Sequence, residues 1–141
     1  MLIEDIDLFK GISPLLTREI GAMAEEEAYP AEHVLFERGE TASFFYILIE
    51  GRIDIRVKGQ PGVSIPAHEA GTVFGWSALV EPYRYTAEAV CMDSSKVVKI
   101  RGEDLMHVLQ KYPSDALTVM KRLTKLIASR TIGKFSIRTE P

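Results

Sequence analysis

The chain has 141 residues, 46% of them apolar and 26% charged, which suits one globular domain able to bury a core of its own. A formal net charge of −3 leaves no overall positive field to draw the chain to nucleic acid or to an anionic membrane. A lone cysteine, Cys91, excludes a disulfide within the chain, the acidic start lacks the basic segment of a signal peptide, and no apolar run approaches the ~18 to 20 residues of a membrane span, so a cytoplasmic protein is expected.

Leu2, Ile3, Ile6, Leu8 and Phe9 predict a short amphipathic turn that stops at Gly11. Ser13-Pro14 then reads as a helix start, Ser as N-cap and Pro at the first helical position. Leu15, Leu16, Ile20 and Met23 follow at helical spacing, and the helix fades near Ala24. Glu25-Glu26-Glu27 reads as a solvated helix end and strand edge rather than a metal site, because three consecutive side chains cannot face one ion.

From Tyr29 the apolar period changes to two. Val34-Leu35-Phe36 predicts a short strand, Arg38-Gly39-Glu40 a turn, and Phe45 to Ile49 a buried strand ended by a hairpin turn at Glu50-Gly51. Ile53, Ile55 and Val57 alternate with charged residues as in a half-buried strand. Gly59-Gln60-Pro61-Gly62 is a further turn, Val63 and Ile65 a strand, Gly71 a turn before Val73-Phe74, and Tyr85–Cys91 and Lys96–Ile100 the last two strands. Short strands, frequent turn signals and no intervening helix imply a mainly β protein with flanking helices, an antiparallel β-roll or jelly roll. Beyond it, Gly102-Glu103-Asp104 leads a helix ended by Tyr112-Pro113, and Ser114 caps a longer helix. That helix carries a stripe of Leu117, Met120, Leu123, Leu126 and Ile127 opposite Lys121, Arg122, Lys125 and Arg130.

The stretch from Phe74 to Ala89 reads as an anion cradle. Gly75 frees the backbone for close approach, Ser77–Val80 forms a helical turn whose N-terminus can meet a negative group, and Arg84 offers a forked cation. Arg84 has a plainer reading as a surface ion pair with Glu81 or Glu88. Trp76 either fills the pocket or stacks on a planar ligand, since an indole can donate one hydrogen bond but accept none. Tyr85, Ala87 and Ala89 share one face of the strand and Thr86, Glu88 and Val90 the other, with the inward face undecided. His33, His68 and His107 are scattered without a His-x-His pair, and Cys91 reads as a small apolar residue. Neither a metal centre nor a catalytic constellation is indicated.

Phe74-Gly75, Ala78-Leu79, Arg84 and Ala87 resemble the phosphate-binding cassette of the cyclic nucleotide-binding domains, found in the catabolite activator (Crp/Fnr-like) family and in kinase regulatory subunits. Val34–Glu40 and Phe45–Gly51 resemble that family's first hairpins. The resemblance implies residues 1–25 as N-terminal helices, 26–101 as the roll holding the cassette 74–89, and 102–135 as a helical lid. It implies a regulatory, non-enzymatic domain whose ligand, cyclic AMP or cyclic GMP by family default, lies against Gly75, Trp76, Ser77, Ala78, Arg84, Tyr85 and Thr86. Trp76 stands where the family carries a glutamate for the ribose hydroxyl. A homodimer through the 114–130 helix is expected, the alternative being a lid on one monomer. No helix-turn-helix DNA-binding module is expected after Arg130. A second class of function stays open, in which Trp76 closes the pocket and the domain serves dimerisation or docking.

Overall fold

The structure, a computed structural model, describes residues 3–57, 63–66 and 72–139; Leu2, His68, the glycine turn at 59–62 and Gly71 lie outside the described residues. Two 3-10 turns, Ile3–Asp5 and Asp7–Phe9, bury Ile6, Leu8 and Phe9. Helix α1 runs Pro14–Met23. Ser13 precedes it as expected, but its hydroxyl makes no capping bond; instead its amide donates to Asp115 Oδ2 at 3.0 Å. The distant carboxylate thus takes the N-cap residue's own amide, not the first-turn amides that a capping hydroxyl would meet.

Eight strands form two four-stranded antiparallel sheets among the described residues. They are β1 (Glu25–Tyr29), β2 (Val34–Phe36), β3 (Phe44–Glu50), β4 (Arg52–Arg56), β5 (Val63–Pro66), β6 (Thr72–Phe74), β7 (Glu88–Cys91) and β8 (Ser95–Arg101). One sheet has the order β1-β8-β3-β6 and the other β2-β7-β4-β5. The mainly β roll with flanking helices is thus the fold read from the sequence.

Two boundaries differ for physical reasons. The acidic run is β1 itself, a segment of low strand propensity held by its neighbour. Glu26 and Glu27 lie 3.6 Å and 3.0 Å from Lys96 and Lys99 of β8, the strand β1 pairs with. Glu50-Gly51 is no hairpin turn. β3 and β4 belong to different sheets, and Gly51, at φ 103°, turns the chain from one to the other.

Phe45, Tyr46, Ile47 and Leu48 of β3 are all buried, as the unbroken apolar run requires. One core cluster joins Phe45, Ile47, Val97 and Ile100 of the first sheet to Leu16 and Ile20 of α1 and to Leu105 and Leu109 of the next helix. That helix, α2, spans Gly102–Leu109, and α3 spans Pro113–Thr139, starting one residue ahead of the expected Ser114 cap. The stripe on α3 is rotated from expectation. Val119 and Leu123 face the core, Met120, Leu126 and Ile127 are half-buried, and Leu117 is 57% exposed.

Arg122, read as part of the solvated face, instead grips the N-terminal segment. Its Nη1 donates to the carbonyls of Asp7, Leu8 and Lys10 at 3.2, 3.3 and 2.6 Å, where the second 3-10 turn ends. Lys111 Nζ meets Glu19 Oε1 at 2.6 Å. Together with the Ser13–Asp115 bond, these polar contacts tie the N-terminal helices to α3 and the segment leading into it.

Candidate functional site

The stretch from Phe74 to Ala89 begins where β6 ends. Gly75 adopts the left-handed conformation at φ 72°, open to glycine at little cost. It is also crowded: an added Cβ would lie 3.0 Å from the Tyr46 ring and 3.3 Å from the Phe44 carbonyl oxygen. The reversal there launches a single 3-10 turn, Trp76–Leu79, in place of the expected Ser77–Val80 turn. Ala78 and Leu79 point inward and Ser77 is half-buried. The Ala78 amide donates to the Gly75 carbonyl at 3.3 Å, so the turn itself uses that group. Trp76 is half-buried and packs against the core cluster.

The chain then reverses through Glu81-Pro82, with Tyr83 at φ 57°. Residues 83–85 lie antiparallel to residues 39–42. The Gly39 amide donates to the Tyr85 carbonyl at 2.8 Å, Tyr85 to Glu40 at 3.0 Å and Ala42 to Tyr83 at 2.7 Å, with Thr41 and Arg84 bridged between them. This ladder presents Arg84. Its Nη1 donates to the Gly39 carbonyl at 3.0 Å, while the side chain stays exposed. Glu81 and Glu88, its candidate partners by sequence, do not pair with it: among the described residues Arg84 has no ion pair. The guanidinium therefore combines one neutral anchor with donors still directed outward.

Tyr85, Ala87 and Ala89 are the inward face, at 5%, 8% and 0% exposure, and Thr86 is exposed. Regular strand begins only at Glu88, so Tyr85 to Ala87 lead into β7 rather than extending it. The Tyr85 hydroxyl donates to the Phe44 carbonyl at 2.7 Å and accepts from the Phe44 amide at 3.2 Å. Its ring stacks on Phe36 with centroids 3.7 Å apart, and Tyr46 stacks on Phe74 at 5.1 Å. An aromatic bed thus underlies the segment that carries Arg84.

That bed titrates. Burial pushes the Tyr85 phenol up to about 12 from its ordinary 10.0, and burial shifts Tyr46 upward as well. The neutral phenol is the form the fold favours. Its stabilisation is complete below pH 10 and is lost as pH rises toward 12, because the unfolded chain ionises first. Urea unfolding across that window should show stability falling, with about 2 kcal/mol of the fall due to Tyr85. In Tyr85→Phe the fall should be shallower; an unchanged slope would mean Tyr85 is not the titrating group.

Among the described residues no cluster of His, Cys, Asp or Glu can hold a metal ion, and no helix is long and apolar enough to cross a membrane. Cys91 is buried, and burial raises its thiol pKa, an inert setting. Thr41 and Ser43 meet the cassette without a sequence signal, because long-range packing brings them beside Ala78, Tyr83 and Arg84.

The family profile for the cyclic nucleotide-binding domain matches residues 26–112. Among solved structures, a Geobacter metallireducens protein assigned to cyclic nucleotide binding superposes with a TM-score of 0.79 at 23% identity, over 91% of this chain and 94% of that one. The sensor domain of the transcriptional regulator DNR of Pseudomonas aeruginosa gives 0.73 at 22% identity, over 92% and 89% of the two chains. The regulatory domain of Toxoplasma gondii PKA, crystallised with cAMP, gives 0.73 at 18% identity, over 91% of this chain and 48% of that one.

Proposed function

Because the chain belongs to the cyclic nucleotide-binding domain family, we propose that it is a regulatory, non-enzymatic sensor of a small phosphate-bearing effector, with cyclic AMP and cyclic GMP the first ligands to consider. The observation that carries this reading is Arg84. It is exposed, aligned by the ladder with residues 39–42, anchored on the Gly39 carbonyl, and unpaired by any described carboxylate. A phosphate placed there gains charge-assisted hydrogen bonds without first displacing an ion pair. Gly75 lets the backbone approach the same ligand, and Ser77 and Thr86 supply hydroxyls at the cassette's surface. Occupancy acts by differential contact with α2 and α3, which follow the roll.

Isothermal titration with cyclic AMP and cyclic GMP tests this. Arg84→Ala should lower affinity about thirtyfold, the worth of a charge-assisted contact of about 2 kcal/mol. Equal affinity in the variant, or no binding of either nucleotide at millimolar concentration, would overturn the phosphate site.

A second reading rests on Trp76, which packs against the core from the position where the family carries a carboxylate. In that reading the pocket is closed and the domain serves docking or homodimerisation through the 114–130 helix, on which Leu117 is exposed. Trp76→Glu separates the two. In an open pocket the new carboxylate should raise cyclic nucleotide affinity about tenfold, the worth of one buried hydrogen bond. No change favours docking.

A further inference from the structure

A cleft lies between the cassette and α2, with a volume of about 470 Å³, inside the roughly 300–1,000 Å³ typical of small-ligand sites. Ala42, Ala78 and Met106 give it a buried or half-buried apolar lining. Thr41 and Tyr83 bring hydroxyls from the two segments that form the Arg84 ladder, and Ser43 adds a third just beyond it. From the helical side come Glu103 and His107, which share one face of α2 with Met106 by their spacing of three and four, and Gln110, the residue that caps the helix. Arg101, the last residue of β8, completes the lining and holds its guanidinium 5.1 Å from the centre of the Phe44 ring.

Among the described residues the charges of this cleft are not matched. Arg101 and Glu103 both line it, yet among the described residues neither forms an ion pair, with the other or with any third group. Isolated surface charges are ordinary. A cation and an anion left unpaired on opposite sides of residue 102, above an apolar lining and beside three hydroxyls, describe a ligand of definite chemistry. We propose that this cleft binds a small zwitterion of the amino-acid or dipeptide class. Its carboxylate meets Arg101, its ammonium meets Glu103, and its side chain lies on Met106 and Ala78. A polyanion such as a nucleotide is disfavoured by the Glu103 carboxylate.

The site is placed to regulate. Ala78 belongs to the 3-10 turn of the cassette and Met106 to α2, so an occupant clamps one to the other. It does not depend on a phosphate being held at Arg84.

The test is calorimetric titration of the whole chain with the twenty free L-amino acids and a set of Ala, Leu and Met dipeptides, followed by the N-acetylated and C-amidated form of each binder. We expect one-to-one binding of at least one zwitterion and about tenfold weaker binding of both capped forms. Arg101→Gln and Glu103→Gln should each weaken it about tenfold, and Arg84→Ala should leave it unchanged. Both cleft substitutions are at exposed positions, and circular dichroism verifies that the variants are folded. No binder at millimolar affinity, capped forms that bind equally well, or binding that survives Arg101→Gln but is lost in Arg84→Ala would each overturn the proposal. Failure of cyclic nucleotides to bind would overturn only the phosphate site.

Discussion

Gly51→Ala is expected to destabilise the protein by about 4 kcal/mol, a large part of the roughly 5–15 kcal/mol that holds a typical domain together. Two costs combine at this residue. Its φ of 103° lies where a Cβ is strained, about 1–2 kcal/mol for an L-residue. The added carbon would also lie 2.1 Å from Ser95 Oγ and 2.5 Å from Ser95 Cα, distances at which something must move, and such overpacking costs about 1–3 kcal/mol. Ser95 cannot swing away, because it is 3% exposed and its hydroxyl accepts from the Arg52 amide at 3.2 Å and donates to the Asp93 carbonyl at 2.7 Å. Ser95→Gly should not rescue the variant, since the clash with the main chain of residue 95 remains. Gly39→Ala is the control: φ is 90° but nothing lies within 4 Å of the added carbon, so only the conformational cost of about 1 kcal/mol is expected. Equal losses in the two variants by urea denaturation would show that crowding against Ser95 contributes nothing.

Gly102→Ala should cost about 3 kcal/mol through steric overlap alone. A Cβ there would stand 2.3 Å from the Ala78 carbonyl oxygen and 2.9 Å from both Ala78 C and Cβ. The Gly102 amide is also committed, donating to the Ser43 carbonyl at 2.9 Å. Helix α2 therefore starts directly against the 3-10 turn of the cassette and is held there by the segment leading into β3. Alanine, the best helix former, would ordinarily stabilise a helix relative to glycine by about 1 kcal/mol. A measured stabilisation in Gly102→Ala would mean that α2 does not lie against Ala78. The expected result is a lower midpoint together with altered near-ultraviolet signal from Trp76, two residues from Ala78.

Single residues show where local pattern suffices and where it fails. The unbroken run Phe45–Ile49 predicted a buried strand because apolar side chains on both faces require cover on both faces; Phe45–Leu48 are buried and Ile49 is half-buried. The alternation of Tyr85, Ala87 and Ala89 showed that they share a face, but which face turned inward depended on Phe36 and Phe44, far away in the chain. Glu25–Glu27 read as a solvated helix end and strand edge, and the pairing of the whole run with β8, with Lys96 and Lys99 beside Glu26 and Glu27, depends on residues some seventy positions away. Arg122 belonged by pattern to the outer face of α3, and only the approach of the N-terminal turns brought it to their carbonyls. For the candidate site, Gly75 and Arg84 could be picked out by residue type, while Thr41, Ser43 and Tyr83 could not.

Period-two alternation, turn residues and helical stripes are local consequences of backbone geometry, so the class of fold, the order of its elements and the family motif were legible in the order of amino acids. What each polar group meets was settled by packing in three dimensions. Packing took Arg84 off its neighbouring glutamates and onto the Gly39 carbonyl, made Gly51 a corner between sheets instead of a hairpin, and set Arg101 and Glu103 around one cleft. Each depends on residues tens of positions apart meeting at a few ångströms, and local spacing carries no record of such meetings.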